Sequence, residues 1–257
     1  MGRPAGAIVG GVALALLGGS CVAAAQSFTA TYAFSWAGFE VGILEARVEL
    51  VADSYRARWE GRTTGIVGSL FPFESRGTAQ GRRTGGRLDV ARYDGESSWR
   101  DGGSAWQVTF DAAGRAAAVE LPAFERARRD PVPAELQVAP DPATLALTTI
   151  AAARPGTRLD ARSFDGRRAI GFALACGEAE PVTGGELSCA VSGELLAGRL
   201  RDSPLPEQGR ADREPVRVWL RRGVQGDGYW PVRLEAASRF GTVTGRLMAI
   251  DPGPEAG

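Results

Sequence analysis

The residues of this chain best placed to do chemistry are two cysteines, Cys176 and Cys189, with Gly-rich sequence between them. In an oxidising compartment an even pair at this spacing reads as a disulfide that staples two strands across a tip at Thr183-Gly184-Gly185. A redox-active or metal-binding pair needs a tight C-x-x-C spacing or further ligands, and neither is present. The chain contains no His, no Lys and no Asn. That removes the Ser-His-Asp triad, Cys-His pairs, histidine metal sites, Schiff-base lysines and the Walker lysine. Carboxylates, hydroxyls and Arg remain. The acids mostly alternate with Arg along strand-like segments, the pattern of a solvated, ion-paired face. Asp165, in Phe164-Asp165-Gly166-Arg167, is accounted for as a turn aspartate. No loop alternates oxygen ligands as a calcium site would. The expectation is a non-enzymatic protein with no cofactor and no metal.

The compartment is written in the first 25 residues. Arg3 supplies a positive start and Ala5 to Leu17 an apolar core too short to span a bilayer. Ala23-Ala24-Ala25 before Gln26 forms a small-x-small cleavage pattern. Residues 1–25 therefore read as a secretory signal, and the expected location is periplasmic. A lipoprotein cut before Cys21 is the alternative. Gly19 and Ser20 suit it, but Gly18 stands where Leu is usual. No membrane span is expected in the mature chain. The full sequence has 30 basic and 30 acidic residues. Losing Arg3 leaves the remainder one charge negative, which argues against nucleic acid as a partner. The short basic run Arg126-Ala127-Arg128-Arg129 meets Asp130-Pro131 at once and reads as a solvated loop.

The elements that must position any site are strands. Phe28, Ala30, Tyr32, Phe34 and Trp36 alternate with small or hydroxyl residues. Leu44, Ala46, Val48 and Leu50 alternate with Glu45, Arg47 and Glu49, and Tyr55, Ala57 and Trp59 with Arg56, Arg58 and Glu60. Turn signals separate them at Ala37-Gly38 and Ala52-Asp53-Ser54. The pattern recurs through Tyr93, Trp106, Val108 and Phe110, and again through Val216 to Ile250. Ten to thirteen short strands with no helices between them imply one large curved antiparallel sheet or barrel-like β domain, spanning 26–250, with 251–257 a flexible tail. One helix interrupts it at about 141–154, with Asp141 as N-cap and Pro142 at the first helical position. Its lack of charge before Arg154 predicts that it is buried. Residues from Ala123 to Pro142 read as a long crossing loop.

Several stretches are similar to one family. Trp36-Ala37-Gly38-Phe39-Glu40-Val41-Gly42 resembles the opening signature of a bacterial family of exported proteins known as the domain of unknown function DUF 3108. Thr63-Thr64-Gly65 running to Phe71-Pro72-Phe73, the helix opener Asp141-Pro142, and Ser163-Phe164-Asp165-Gly166-Arg167-Arg168 resemble it as well. The resemblance implies an envelope protein made mainly of one curved antiparallel sheet, and it supplies no catalytic residues.

Binding is the function that remains. Aromatic residues on inward strand faces are ordinarily core. A sheet that curls without being completely filled leaves an apolar cavity suited to a lipid or other amphiphile. The apolar stretch Leu70-Phe71-Pro72-Phe73, with Ile66 and Val67, would then form its mouth or lid, and Trp36 and Phe39 are further candidate contacts to a ligand or partner. The alternative is an envelope protein–protein interaction module that uses sheet edges and the 66–73 loop.

Overall fold

The computed structural model describes residues 26–179, 186–201, 214–223, 228–238 and 241–253. The expected signal segment at residues 1–25, Cys21 within it, the expected Thr183-Gly184-Gly185 tip and residues 254–257 lie outside the described residues.

Alternation of apolar and charged side chains yields thirteen strands among the described residues. They are β1 Gln26–Trp36, β2 Phe39–Leu50, β3 Ser54–Thr63, β4 Phe73–Thr84, β5 Arg87–Trp99, β6 Gly102–Phe110 and β7 Ala116–Glu120. After a crossing segment come β8 Arg158–Phe164, β9 Ala169–Glu178, β10 Leu187–Ala197, β11 Val216–Arg222, β12 Tyr229–Ser238 and β13 Gly241–Pro252. Strand β13 takes in Asp251 and Pro252, the first two residues of the expected tail, because they pair with Thr29 and Phe28. Among the described residues three α-helices interrupt these strands: α1 Gly65–Leu70, α2 Ala123–Ala127 and α3 Pro142–Ala152.

The strands form one antiparallel sheet in the order β7-β6-β5-β4-β3-β2-β1-β13-β12-β11-β10-β9-β8. Two meanders are thus joined where the first strand meets the last, and the sheet's edges are β7 and β8. It curls but does not close by strand pairing. The crossing segment stitches the gap instead. Gln137 O accepts from Ala116 N at 3.1 Å, and Pro140 O accepts from Phe164 N at 3.0 Å. The expected loop from Ala123 to Pro142 carries α2 and a short 3-10 turn at Ala134–Leu136.

The β8–β9 turn, residues 165–168, supplies a second closure. Asp165 Oδ1 accepts from Arg167 N at 2.8 Å and Arg168 N at 2.7 Å, fixing the turn. Gly166, at φ +87°, leaves no room for a side chain, since a Cβ there would stand 2.6 Å from Val108 Cγ2. The Arg167 guanidinium lies over the Trp106 ring, 3.3 Å from its centroid. Burial in this apolar setting pulls the Arg167 pKa down.

Among the described residues the core forms a pair of clusters. One gathers Val48, Ala57, Ala79, Tyr93, Trp106 and Val108 from the first meander with Phe164. The other gathers Cys176, Leu187, Cys189, Leu220, Tyr229 and Ala153 from the second. Helix α3 bridges them, Ala143 and Leu147 on the first and Ile150 on the second. Within the first cluster, indole rings stand in for missing side chains. Gly77 faces Trp59 across β4–β3, Gly95 faces Trp106 across β5–β6, and the two glycines face each other. Each indole occupies the space above its glycine.

Helix α3 starts as its sequence dictates. Asp141 Oδ1 accepts from Ala143 N at 2.9 Å and Thr144 N at 3.0 Å, its other oxygen accepts from the Thr144 hydroxyl, and Tyr55 bonds Thr144 Oγ1 at 2.5 Å. The expectation that this helix is buried needs correction. Thr144 is its one buried residue, and Ala146 and Thr148 face water. Ala and Thr tolerate solvent, so an uncharged helix need not be enclosed.

Candidate functional site

The cysteine pair is a disulfide with an S–S distance of 2.05 Å. Its register explains it. Cys176 N donates to Thr157 O and Cys176 O accepts from Gly156 N, so its backbone bonds point toward β8. Across β9–β10, Cys176 and Cys189 therefore form a non-hydrogen-bonded pair, the kind that brings opposing side chains closest.

One face of that disulfide opens onto an apolar cavity. Between α3 and the inner face of β8–β12 lies a space of about 270 Å³. Leu145 and Ile150 of α3 form its roof, and Phe172, Leu174 and Val218 its floor, with Cys189 in the wall. No charged residue lines it. Alternation places these side chains. Phe172 and Leu174 point inward from β9 while Ala173 lines the opposite face of the sheet. Apart from Thr149 the described lining is apolar, so the cavity offers mainly dispersion and desolvation, which selects hydrocarbon and leaves a charged head outside.

The binding residues expected from sequence occupy a different place. Trp36 and Phe39 face each other across the β1–β2 turn, where Ala37 and Gly38 both take positive φ, as a two-residue hairpin of this hand requires. Ile66, Val67 and Leu70 lie on α1, Phe71 caps it and Phe73 opens β4. All seven gather at one end of the sheet. None lines the cavity beneath α3, so the 66–73 loop is neither its mouth nor its lid. Sequence reading missed Trp99, whose ring packs 4.2 Å from Phe73 at that same end. It also missed the cavity wall. The available signal was the uncharged Leu145–Ile150 surface set against alternating Phe172 and Leu174.

A larger open groove of about 980 Å³ runs over the outer face of β2–β7, lined by Arg47, Arg58, Arg76, Glu45, Glu60 and Glu96 among others. Its charges of both signs include the ion pair Arg76–Glu96 at 2.9 Å, and such exposed pairs are weak. Among the described residues, no cluster of three or more His, Cys, Asp or Glu is placed to hold a metal ion. The buried Asp141 is spent on capping α3. No described helix is long and apolar enough to cross a membrane.

The model of the family described as "Protein of unknown function (DUF3108)" matches residues 27–248. No curated protein matches the chain. Among solved structures, the chain is similar to a beta-barrel-like protein of domain of unknown function DUF1849 from Brucella abortus. The identity is 9% and the TM-score 0.52, over 90% of this chain and 98% of that one. At that identity the likeness concerns the fold alone.

Proposed function

The chain belongs to the DUF3108 family, and within that fold we propose that it is a non-enzymatic, exported envelope protein that shelters the hydrocarbon portion of a lipid or other amphiphile beneath α3. The observation that carries this reading is the charge-free cavity of about 270 Å³ between α3 and β8–β12. Its walls are apolar enough to hold an acyl or isoprenoid chain. Export is supported by the signal-like residues 1–25 and by the Cys176–Cys189 disulfide, a bond that persists in oxidising compartments. The absence of His, Lys and Asn favours binding over catalysis.

The test is native mass spectrometry with lipid extraction on protein purified from the host periplasm, followed by titration with a fluorescent fatty acid. A stoichiometric lipid and saturable probe binding are expected. Ala161→Phe, which fills the cavity from β8, should abolish both while leaving the fold intact. An apo mass with no probe binding, or equal binding by the filled variant, would reject the reading.

A further inference from the structure

Twelve large apolar side chains stand well exposed among the described residues, and six of them share one end of the sheet: Trp36, Phe39, Ile66, Leu70, Phe71 and Trp99. The other six are scattered. The outermost are 68–72% exposed: Phe39, Ile66 and Phe71. They come from three separate connections, the β1–β2 turn, α1 with its cap, and the end of β5. The patch therefore spans five adjacent strands, about 20 Å at ordinary strand spacing.

Two properties of this tip say what covers it. First, residues 63–73 carry no charged side chain. Charges of both signs flank it, Arg62, Arg100, Glu40, Glu74 and Asp101, and of these Arg100 and Glu40 reach in to bond the loop. Second, the polar groups of the apex are largely satisfied from within. Thr64 N donates to Val41 O, Gly68 N to Thr64 O, Phe71 N to Val67 O and Phe73 N to Thr63 Oγ1. Arg100 donates to the carbonyls of Ser69 and Leu70 at 2.9 and 3.1 Å. The Thr63 hydroxyl donates to Phe71 O, and the Thr64 hydroxyl to Glu40. A loop so arranged leaves only the first-turn N–H groups of Gly65, Ile66 and Val67 to be met from outside, and the headgroup side of a bilayer's hydrocarbon boundary supplies oxygen acceptors for them.

We infer that this end of the sheet is a membrane-docking tip that seats on zwitterionic phospholipid. The uncharged apex enters the acyl boundary, and the mixed charges at its base stand among headgroups of both signs. Trp36 and Trp99 take the interfacial positions that indoles favour. The inference stands independently of the cavity reading.

The test is co-sedimentation with phosphatidylcholine vesicles at low and high salt. The wild type should sediment with vesicles nearly independently of salt, because apolar burial dominates. Ile66→Glu/Phe71→Glu, at two positions that touch water in the free protein, should weaken binding about tenfold or more with an unchanged circular dichroism spectrum. The same variant should still bind the fluorescent fatty acid. Ala161→Phe should sediment like wild type. A wild type that stays in the supernatant, a tip variant that sediments equally, or capture of a protein by the tip without vesicle binding would overturn the inference. Loss of fatty-acid binding alone would strike only the cavity reading.

Discussion

Gly95→Ala adds a single methyl group in the centre of the sheet, and the structure gives its cost a definite origin. The new Cβ would stand 2.3 Å from Trp106 Cζ2, 2.4 Å from Cε2 and 2.8 Å from Nε1, where ordinary contact begins at 3.4 Å. The indole must move by about an ångström. Val108 and the stacked Arg167 restrict where it can go. Replacing a strand glycine would otherwise stabilise by ~0.5 kcal/mol through the unfolded chain. Overpacking outweighs that gain, so the net loss should be about 2 kcal/mol, roughly 4–8 °C in melting temperature for a domain of this size. Trp106→Leu removes all three ring atoms and by itself costs about 2–3 kcal/mol. In that background Gly95→Ala should become neutral or slightly stabilising, a coupling of about 2 kcal/mol between the two sites. Urea unfolding of the four proteins, with equal denaturant slopes, measures it. A Gly95→Ala that is harmless alone, or equally costly with Leu at position 106, would refute the account.

Three further expectations are accessible to the same methods. Cys176→Ala/Cys189→Ala should destabilise by about 3 kcal/mol from restored loop entropy, lowering the melting temperature by roughly 6–12 °C. It should also weaken fatty-acid binding, since Cys189 walls the cavity, and an unchanged melt would contradict this. Burial raises the Asp141 carboxyl above the usual aspartate range despite the hydrogen bonds it accepts, so the folded chain holds this proton more tightly than the unfolded one. Ionising it costs stability as pH rises through that interval, and stability returns on acidification. Melts across mildly acidic pH should show wild type gaining on Asp141→Asn as pH falls. Asp141→Ala should cost about 1–2 kcal/mol through the lost cap, and a pH-independent difference from Asn would defeat the titration argument. Arg167→Met should lose about 1–2 kcal/mol of stacking on Trp106, and that loss should vanish in Trp106→Leu.

Much of the fold was legible because alternation is local. Tyr55, Ala57 and Trp59 against Arg56, Arg58 and Glu60 announce a strand with one wet face wherever it pairs. Asp141-Pro142 announces a helix start for equally local reasons, and the cysteine pair needed only two flanking strands. What alternation does not carry is partnership. Nothing in Phe28 or Pro252 says that β1 lies beside β13, and nothing in Gly166 or Arg167 says that their turn docks on Val108 and Trp106. The cavity was illegible for the same reason, because it exists only once α3 is laid across β8–β12. The tip was half legible. The apolar run at 66–73 signals exposure or a lid equally well, and only the assembled sheet shows that none of it lines the cavity.

The pairing of β1 with β13 has a topological consequence. If the chain's ends were joined and a new break made between β7 and β8, the strands would read β8 through β13 and then β1 through β7. Every strand would then neighbour its successor in sequence. The native protein is thus a plain meander, circularly permuted, whose one non-local step joins its first strand to its last. In the native order β1 acquires its second neighbour only through β13, the strand furthest from it in sequence. In the permuted order each strand would pair with the strands next to it in sequence. The permutant should reach the same fold with lower contact order and a faster refolding rate.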